Sequence, residues 1–392
     1  MELTKKQEEG LRIALQRYND HSKYVTISGY AGSGKSTLVR FIIEAMDIEE
    51  ERVAYATFTG KAAEVLRKKG NLNAMTLHRL LYESIPRKDG GFFRKPKLHL
   101  DYDVVVVDEC SMVPKTMIDM LLSHKAFIIF LGDPGQLPMI DKKESHDLLD
   151  HPHVFLDQIM RQAAESEIIQ LTMKIRAGEE ISYMQGKEVM VIPHTELVTG
   201  HLTWADMVLC ATNATRHNIN NQIRQLKGFT GIINEGESIV FKANYWDDCN
   251  EDGDALVNGT VGTFHNTFNS FIQIPKFIKN NRHQIPIIIG EFRPESGKPF
   301  TGIEIDPDFL IKEEFCVDWR VSYQLGKMKQ RIGDILPKKA TYGYCTTAWC
   351  AQGSEWNKVL VLEENFPFNK EEHQKFLYTC CTRASEKLVL IK

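Results

Sequence analysis

Along the first part of the chain, short apolar runs rich in β-branched residues alternate with stretches whose apolar positions recur at helical spacing. Residues 24–27, 53–56, 104–107 and 126–131 are near-continuous apolar runs, the pattern of strands buried on both faces. Between them, the segment up to Tyr18 places Leu11, Ala14 and Leu15 on one helical face, with Thr4 as its N-cap. Residues 37–46 form an amphipathic helix, a further helix ends at Lys69, and another begins at Met75. Residues 154–178 read as a strand end followed by a helix, and 208–211 as a strand that leads through Thr212-Asn-Ala-Thr-Arg216 into a helix.

From Gly236 to about Lys339 the pattern changes. Short β-prone runs at 238–241, 260–264 and 285–289 sit between turn clusters, which predicts a small all-β module inserted into an α/β fold. The β-α alternation returns at 342–347, with a strand at 358–362, a helix at 371–383 and a last strand at 387–391. The expected fold class is therefore α/β, with two sheets each fed by its own strands. Two loops interrupt the pattern. At 86–97, Asp89-Gly-Gly91 between extended flanks predicts a hairpin, with Phe92 and Phe93 either closing a small apolar contact or offering a base-stacking surface. The acidic run 247–254 lacks EF-hand spacing and is expected to be a solvated loop rather than a Ca²⁺ site.

Candidate chemistry concentrates where strands end. Gly29-Tyr-Ala-Gly-Ser-Gly-Lys-Ser36 follows the first strand and opens the 37–46 helix. Gly29, Gly32 and Gly34 let successive N–H groups turn inward toward a phosphate, and the helix N-terminus adds its positive dipole end. Ser33 and Thr37 complete the cradle, Lys35 lies against the β/γ-phosphates, and Ser36 is placed to hold Mg²⁺. Asp108 and Glu109 cap the strand 104–107. A carboxylate at that tip suits the Mg²⁺ hydration shell, and the next one suits activation of the water that attacks the γ-phosphate. Gln136, in Gly132-Asp-Pro-Gly-Gln-Leu-Pro138, is placed to sense the γ-phosphate or that water. Gln7 reads either as an adenine-binding amide or as a solvent-facing helical residue.

Composition narrows the class. At 392 residues two or three domains are expected, and no apolar run approaches the roughly 18 residues that span a bilayer. The polar N-terminal segment carries no recognisable signal or transit pattern, so no membrane and a cytoplasmic location, bacterial or that of a phage-infected host, are the expectation. Eight cysteines without a C-x-x-C pair predict reduced, mostly buried thiols. A net charge of −4 argues against indiscriminate nucleic-acid coating, but residues 60–100 hold ten Lys/Arg against three acids, a local basic stretch.

In order, these motifs resemble those of the superfamily 1 helicases, in the RecD-like and phage Dda-type branch, over nearly the whole chain. The resemblance implies two RecA-like P-loop domains: residues 1–162, with a hairpin insertion at about 82–99, and residues 163–235 plus 340–392, with an SH3-like all-β insertion at 236–339. It implies ATP and Mg²⁺ as cofactors, ATP lying between the domains. It also implies translocation on single-stranded DNA, 5′ to 3′, with unwinding of forked DNA. Gln7 is similar to the adenine-reading glutamine, Lys35 and Ser36 to the phosphate and metal residues, Asp108 and Glu109 to the metal and base pair, and Gln136 to the γ-phosphate sensor. Arg161 looks like the arginine that reaches ATP from the interdomain side. Tyr378-Thr-Cys-Cys-Thr-Arg383 resembles the motif whose arginine acts as a finger; the bland reading of Arg383 is a cation at a helix C-terminus. Thr59, Thr76, His78, Asn213, Gln352 and Glu355 fall where relatives contact DNA or couple its movement to ATP, and Phe92 and Phe93 fall where a strand-separating pin is inserted.

The chain departs from the family at Thr347-Ala-Trp-Cys-Ala-Gln-Gly353, where Trp349 and Cys350 replace a His-Lys pair, and at Phe58, which stands in place of a proline. Trp349 either stacks on a base or packs. A monomer suffices for such a motor, and a single-strand-binding, replication or recombination protein is the expected protein partner. Two other readings stay open: a P-loop ATPase or kinase acting on another substrate, and an ATPase subunit of a recombination or repair complex that regulates its partners without unwinding.

Overall fold

In the computed structural model the described residues are 3–86, 92–139, 141, 143–160, 165–251, 255–273, 284–295, 297–314, 336–366 and 369–392. The chain divides into two compact units. One comprises Met1–Leu81, Lys97–Arg216 and Thr346–Lys392; the other comprises Tyr82–Pro96 and His217–Cys345.

The first unit holds two six-stranded sheets. In the first sheet the strands lie in the order Ala74–Thr76, Val53–Thr57, Val104–Val107, Phe127–Gly132, Tyr24–Gly29, Val154–Leu156, and every pairing is parallel. Parallel strands need crossovers, and helices such as Lys35–Met46 and Lys115–Ser123 supply them. Val25, Ile27, Leu38, Ile42, Val104, Val106, Ile129 and Leu131 form the core of this sheet, each contributing about 1.5–3 kcal/mol of burial. The strand Tyr24–Gly29 lies inside the sheet, so its carboxyl end delivers residues 29–36 to the crevice where open α/β sheets bind ligands.

Two boundaries differ from the sequence pattern. The helix expected from residue 37 begins at Lys35, because Gly34 at φ +80° turns the loop directly into the first helical turn. The helix expected from Met75 begins only at Leu77, because Ala74–Thr76 is drawn into the sheet edge beside Tyr55–Thr57.

The second sheet runs Cys345–Thr347, Met207–Cys210, Trp356–Leu362, Ala384–Ile391, Val189–Ile192, Met184–Gln185. Its pairings from Met207–Cys210 to Val189–Ile192 are parallel, and the Met184–Gln185 edge is antiparallel. Its core gathers Val189, Leu209, Val359, Val361, Phe376, Leu388 and Leu390. The strands at 184–192 were not expected from the pattern.

In the second unit a five-stranded antiparallel sheet runs Phe300–Ile305, Gln284–Pro294, Val261–Gln273, Glu237–Phe241, Ala340–Tyr342. Its core is aromatic: Phe241 and Phe292 meet edge to face at 4.8 Å between ring centroids, beside Phe264 and Phe300. A hairpin pairs Tyr82–Pro96 as two strands, Tyr82–Pro86 and Phe92–Pro96, in the register Tyr82 to Pro96 and Pro86 to Phe92. The turn Asp89-Gly-Gly91 lies outside the described residues.

The acidic run is not a simple solvated loop. Asp247 and Asp248 belong to the strand Tyr245–Cys249, which pairs with Ala255–Leu256, and Asp248 lies 3.1 Å from the buried Lys338 ammonium. A buried cation needs such a partner, which explains why charge there accompanies a strand. Among the described residues, no cluster of three or more His, Cys, Asp or Glu is placed to hold a metal ion. No helix among them is long and apolar enough to cross a membrane. Cys110, Cys380 and Cys381 are free thiols, and burial pushes the Cys380 and Cys381 thiols up.

Candidate functional site

Residues 29–36 form a tight cradle whose atoms already engage one another. The Lys35 ammonium donates to the carbonyls of Gly29 (2.6 Å) and Tyr30 (3.1 Å), so it lies folded over the loop. Ser33 is buried, and its Oγ has no hydrogen-bond partner. A Cβ on Gly34 would come within 2.6 Å of Gln7 Nε2, so both the backbone angle and the space there require glycine. Gln7 is 1% exposed, which removes the solvent-facing alternative. Its Oε1 accepts from the Thr4 N–H and closes the capping box of helix Lys5–Asn19, while its Nε2 donates to the Gly34 carbonyl at 3.4 Å. The amide thus touches the phosphate loop itself.

Asp108 and Glu109 follow the strand Val104–Val107, as the motif requires. Burial, reinforced by the Glu109 carboxylate, pushes the Asp108 carboxyl up to about 6; a cation at that spot would hold it ionised. Glu109 sits at φ +50°, a left-handed conformation that costs a non-glycine residue on the order of 1–3 kcal/mol and that aims its carboxylate into the cleft. Gln136 Nε2 donates to Glu109 Oε1 at 3.4 Å, and its own Oε1 is buried without a partner.

Arg383 arrives from the second sheet. It follows the helix Lys370–Cys381, and its Nη1 lies 3.6 Å from Glu109 Oε1. Its Nε donates to the Thr379 carbonyl and its Nη1 to that of Ser354, so it also satisfies the helix end. The pose thus meets the reading of Arg383 as a cation at a helix C-terminus and also brings it beside Glu109. Lys35, Ser36, Asp108, Glu109, Gln136 and Arg383 line a single cavity of about 180 Å³. This is small beside ligand pockets of roughly 300–1,000 Å³, in keeping with Lys35 folded into it.

The donor set fits a triphosphate and its metal. An orphaned hydroxyl at Ser33, an orphaned carbonyl oxygen at Gln136, a glycine cradle with no room for a Cβ, and two cations facing two carboxylates are what such a ligand would satisfy. Ser36 and Asp108 would hold Mg²⁺.

The remaining expected residues are more dispersed. Thr59 caps the helix Gly60–Lys68 by accepting from the Ala62 N–H, and His78 stands 5.9 Å from the Phe58 ring. Thr76 accepts from the Arg79 N–H. Asn213 is exposed at the start of helix Asn213–Leu226. Glu355 is an exception: with Lys69, its partner at 3.2 Å, it lines the same cavity, whereas Trp349 is half-buried against the core of the second sheet. Gln352 is buried and donates to the Leu137 carbonyl at 2.6 Å. Phe92 and Phe93 lie on the hairpin strand by their backbone. Arg161 lies outside the described residues. Sequence reasoning passed over Tyr378, Asp133 and Thr379. Tyr378 and Thr379 stood inside the same string as Arg383, and Asp133 inside that of Gln136; a hydroxyl or carboxylate next to a catalytic group was the available signal.

Comparison with known proteins finds the following. Residues 2–190 match the AAA domain family and residues 342–391 the UvrD-like helicase C-terminal domain family. The ATP-dependent RecD2 DNA helicase of Deinococcus radiodurans is 32% identical over 162 residues, 40% of this chain and 22% of its own. The ATP-dependent DNA helicase PIF1 of Trypanosoma brucei brucei is 27% identical over 248 residues, 58% of this chain and 24% of its own, and the ATP-dependent DNA helicase dda of Enterobacteria phage T4 is 28% identical over 151 residues, 37% and 34%. The chain thus spans about a third or less of the length of these curated relatives. A crystal structure of the Pif1 helicase from Bacteroides in complex with ADP-AlF3 and ssDNA shares the fold over 100% of this chain and 92% of its own, with a TM-score of 0.52 at 17% identity. With residues 29–36 in the span of the first family and Arg383 in that of the second, the chain resembles the superfamily 1 helicases of the RecD/Pif1/Dda-like group.

Proposed function

We propose that this chain is an ATP-dependent DNA helicase that moves 5′ to 3′ along single-stranded DNA and unwinds forked duplexes. The observation that carries the reading is the pairing of Arg383, from the second sheet, with Glu109, from the first, over one cavity that also holds Lys35 and Gln136. A phosphoryl-transfer site split between two sheets turns a change of ligand into a change of their separation.

In this reading Lys35 leaves the Gly29 and Tyr30 carbonyls to lie against the β/γ-phosphates. Bound Mg²⁺ would neutralise phosphate charge. Glu109 takes the proton of the attacking water, which Gln136 orients through its free Oε1. Arg383 is always charged and presents a planar fork to the charge that develops on the transferring group. Once the phosphate leaves, nothing bridges Lys35 to Arg383 and the cleft relaxes.

We further read residues 1–162 and 163–235 plus 340–392 as the two RecA-like halves, 236–339 as an SH3-like insert, and Arg161 as a second interdomain arginine. The basic stretch 60–100, with Thr59, Thr76 and His78 at its start, supplies the DNA-facing side. The test is ATP turnover by the purified chain with and without a homopolymeric single strand. Strong stimulation is expected. Turnover unchanged by DNA favours a regulatory ATPase subunit, and turnover that follows another phosphoryl acceptor favours a kinase.

A further inference from the structure

We propose that Tyr378 is a positioning residue: its hydroxyl ties the phosphate loop and the Gln136 loop to the helix that leads to Arg383, and so sets the alignment of the groups that act on the γ-phosphate. The inference rests on the ATPase reading above and adds to it a residue that contacts no phosphate.

The geometry is specific. Tyr378 Oη accepts from the Ala31 N–H of the phosphate loop at 2.9 Å and donates to Asp133 Oδ2 at 2.7 Å. The other carboxylate oxygen of Asp133 accepts from the Gly135 N–H, fixing the turn that leads to Gln136. A Cβ on Gly135 would lie 3.0 Å from Tyr378 Cε1, so the ring packs directly on that backbone. One residue along the same helix, Thr379 Oγ1 accepts from the Leu137 N–H at 2.9 Å, while Gln352 Nε2 donates to the Leu137 carbonyl. The segment carrying Gln136 is therefore clasped by Tyr378 and Thr379 of the helix Lys370–Cys381 and by Gln352 at the end of the helix Ala348–Ala351.

A tyrosine kept only for packing has no use for a hydroxyl buried against a carboxylate. Here the ring is 2% exposed and Asp133 equally so, and burial pushes both groups up, so the phenol stays a donor at working pH. The bonds join residues far apart in sequence, and each end is a catalytic segment: Lys35 lies four residues beyond Ala31, Gln136 three beyond Asp133, and Arg383 five beyond Tyr378. Misplacing such groups by about 1 Å can cost on the order of a hundredfold in rate without altering ground-state binding.

The experiment is steady-state ATPase with saturating single-stranded homopolymer on Tyr378→Phe, Asp133→Asn and Asp133→Ala, with melting temperature on the same preparations. Tyr378→Phe keeps the ring and should lower kcat by about tenfold or more, with KM for ATP within about threefold. Asp133→Asn keeps one acceptor, for the phenol, and turns its NH2 toward the Gly135 N–H, so it should lose some of kcat but less than Asp133→Ala. Asp133→Ala should fall with Tyr378→Phe, and the double variant should be no slower than the worse single one. Unchanged kcat in Tyr378→Phe, beside an active unsubstituted chain, overturns the positioning role alone, whether or not the melting temperature drops. Equal losses in Asp133→Asn and Asp133→Ala also overturn it. No ATP turnover by the unsubstituted chain overturns the ATPase reading, and this role with it.

Discussion

The proposed nucleotide cleft and the proposed DNA-facing residues differ in how they are held. Around the cleft, Lys35, Glu109, Gln136 and Arg383 converge on one cavity, and several touch one another. Among the DNA-facing candidates, Thr59 and Thr76 answer to local partners instead, Thr59 to its own helix and Thr76 to Arg79, while Glu355, paired with Lys69, lines the cavity itself. A triphosphate is small and rigid, so its ligands must meet at a point. A single strand is long and flexible, so its contacts are spread and individually replaceable. Trp349 and Phe58 stand where the family pattern is broken, and both lie on the dispersed side of that division.

The sharpest way to break the contrast is to substitute at the point of convergence. Lys35→Ala should abolish hydrolysis while leaving melting almost unchanged, since the ammonium's partners are two carbonyls of its own loop. Glu109→Gln should bind ATP–Mg²⁺ without turning it over; retained turnover would assign the base to another group. Arg383→Ala should lower kcat by about 10³-fold or more with a far smaller change in ATP affinity, because a finger acts on transition-state charge. A loss in binding with kcat intact would leave Arg383 only its helix-capping role.

On the dispersed side the effects should be smaller and separable. Phe92→Ala with Phe93→Ala should leave DNA-stimulated ATPase nearly unchanged and slow strand separation severalfold. One base stacked on an aromatic is worth about 1–3 kcal/mol, comparable to the roughly 1.4 kcal/mol of one duplex step. If unwinding is unaffected and only the melting temperature falls, the rings belong to a hairpin core.

The same contrast explains what the sequence made legible. That Lys35, Asp108, Glu109 and Gln136 would share one cavity was readable, because a phosphate-loop pattern fixes both residue type and spacing beside a strand end. Gln7 was readable as a candidate, but its burial was not, since that depends on the Gly34 carbonyl arriving from another element. Tyr378 is 347 residues from Ala31 and 245 from Asp133, and no local pattern announces a contact at that range. The strand Tyr245–Cys249 was hidden because Asp247 and Asp248 suit a loop until Lys338 is placed beside them. The edge strand Met184–Gln185 is two residues long and has no periodicity to read.

The central claim is that ATP hydrolysis in the shared cleft drives movement along a single strand. Its most direct test is strand separation on two partial duplexes, one with only a 5′ tail and one with only a 3′ tail, each with and without ATP–Mg²⁺. The 5′-tailed duplex is expected to open only with fuel, and the 3′-tailed one to stay paired. Opening of the 3′-tailed duplex alone would contradict the direction, and DNA-stimulated hydrolysis with neither duplex opening would contradict the motor.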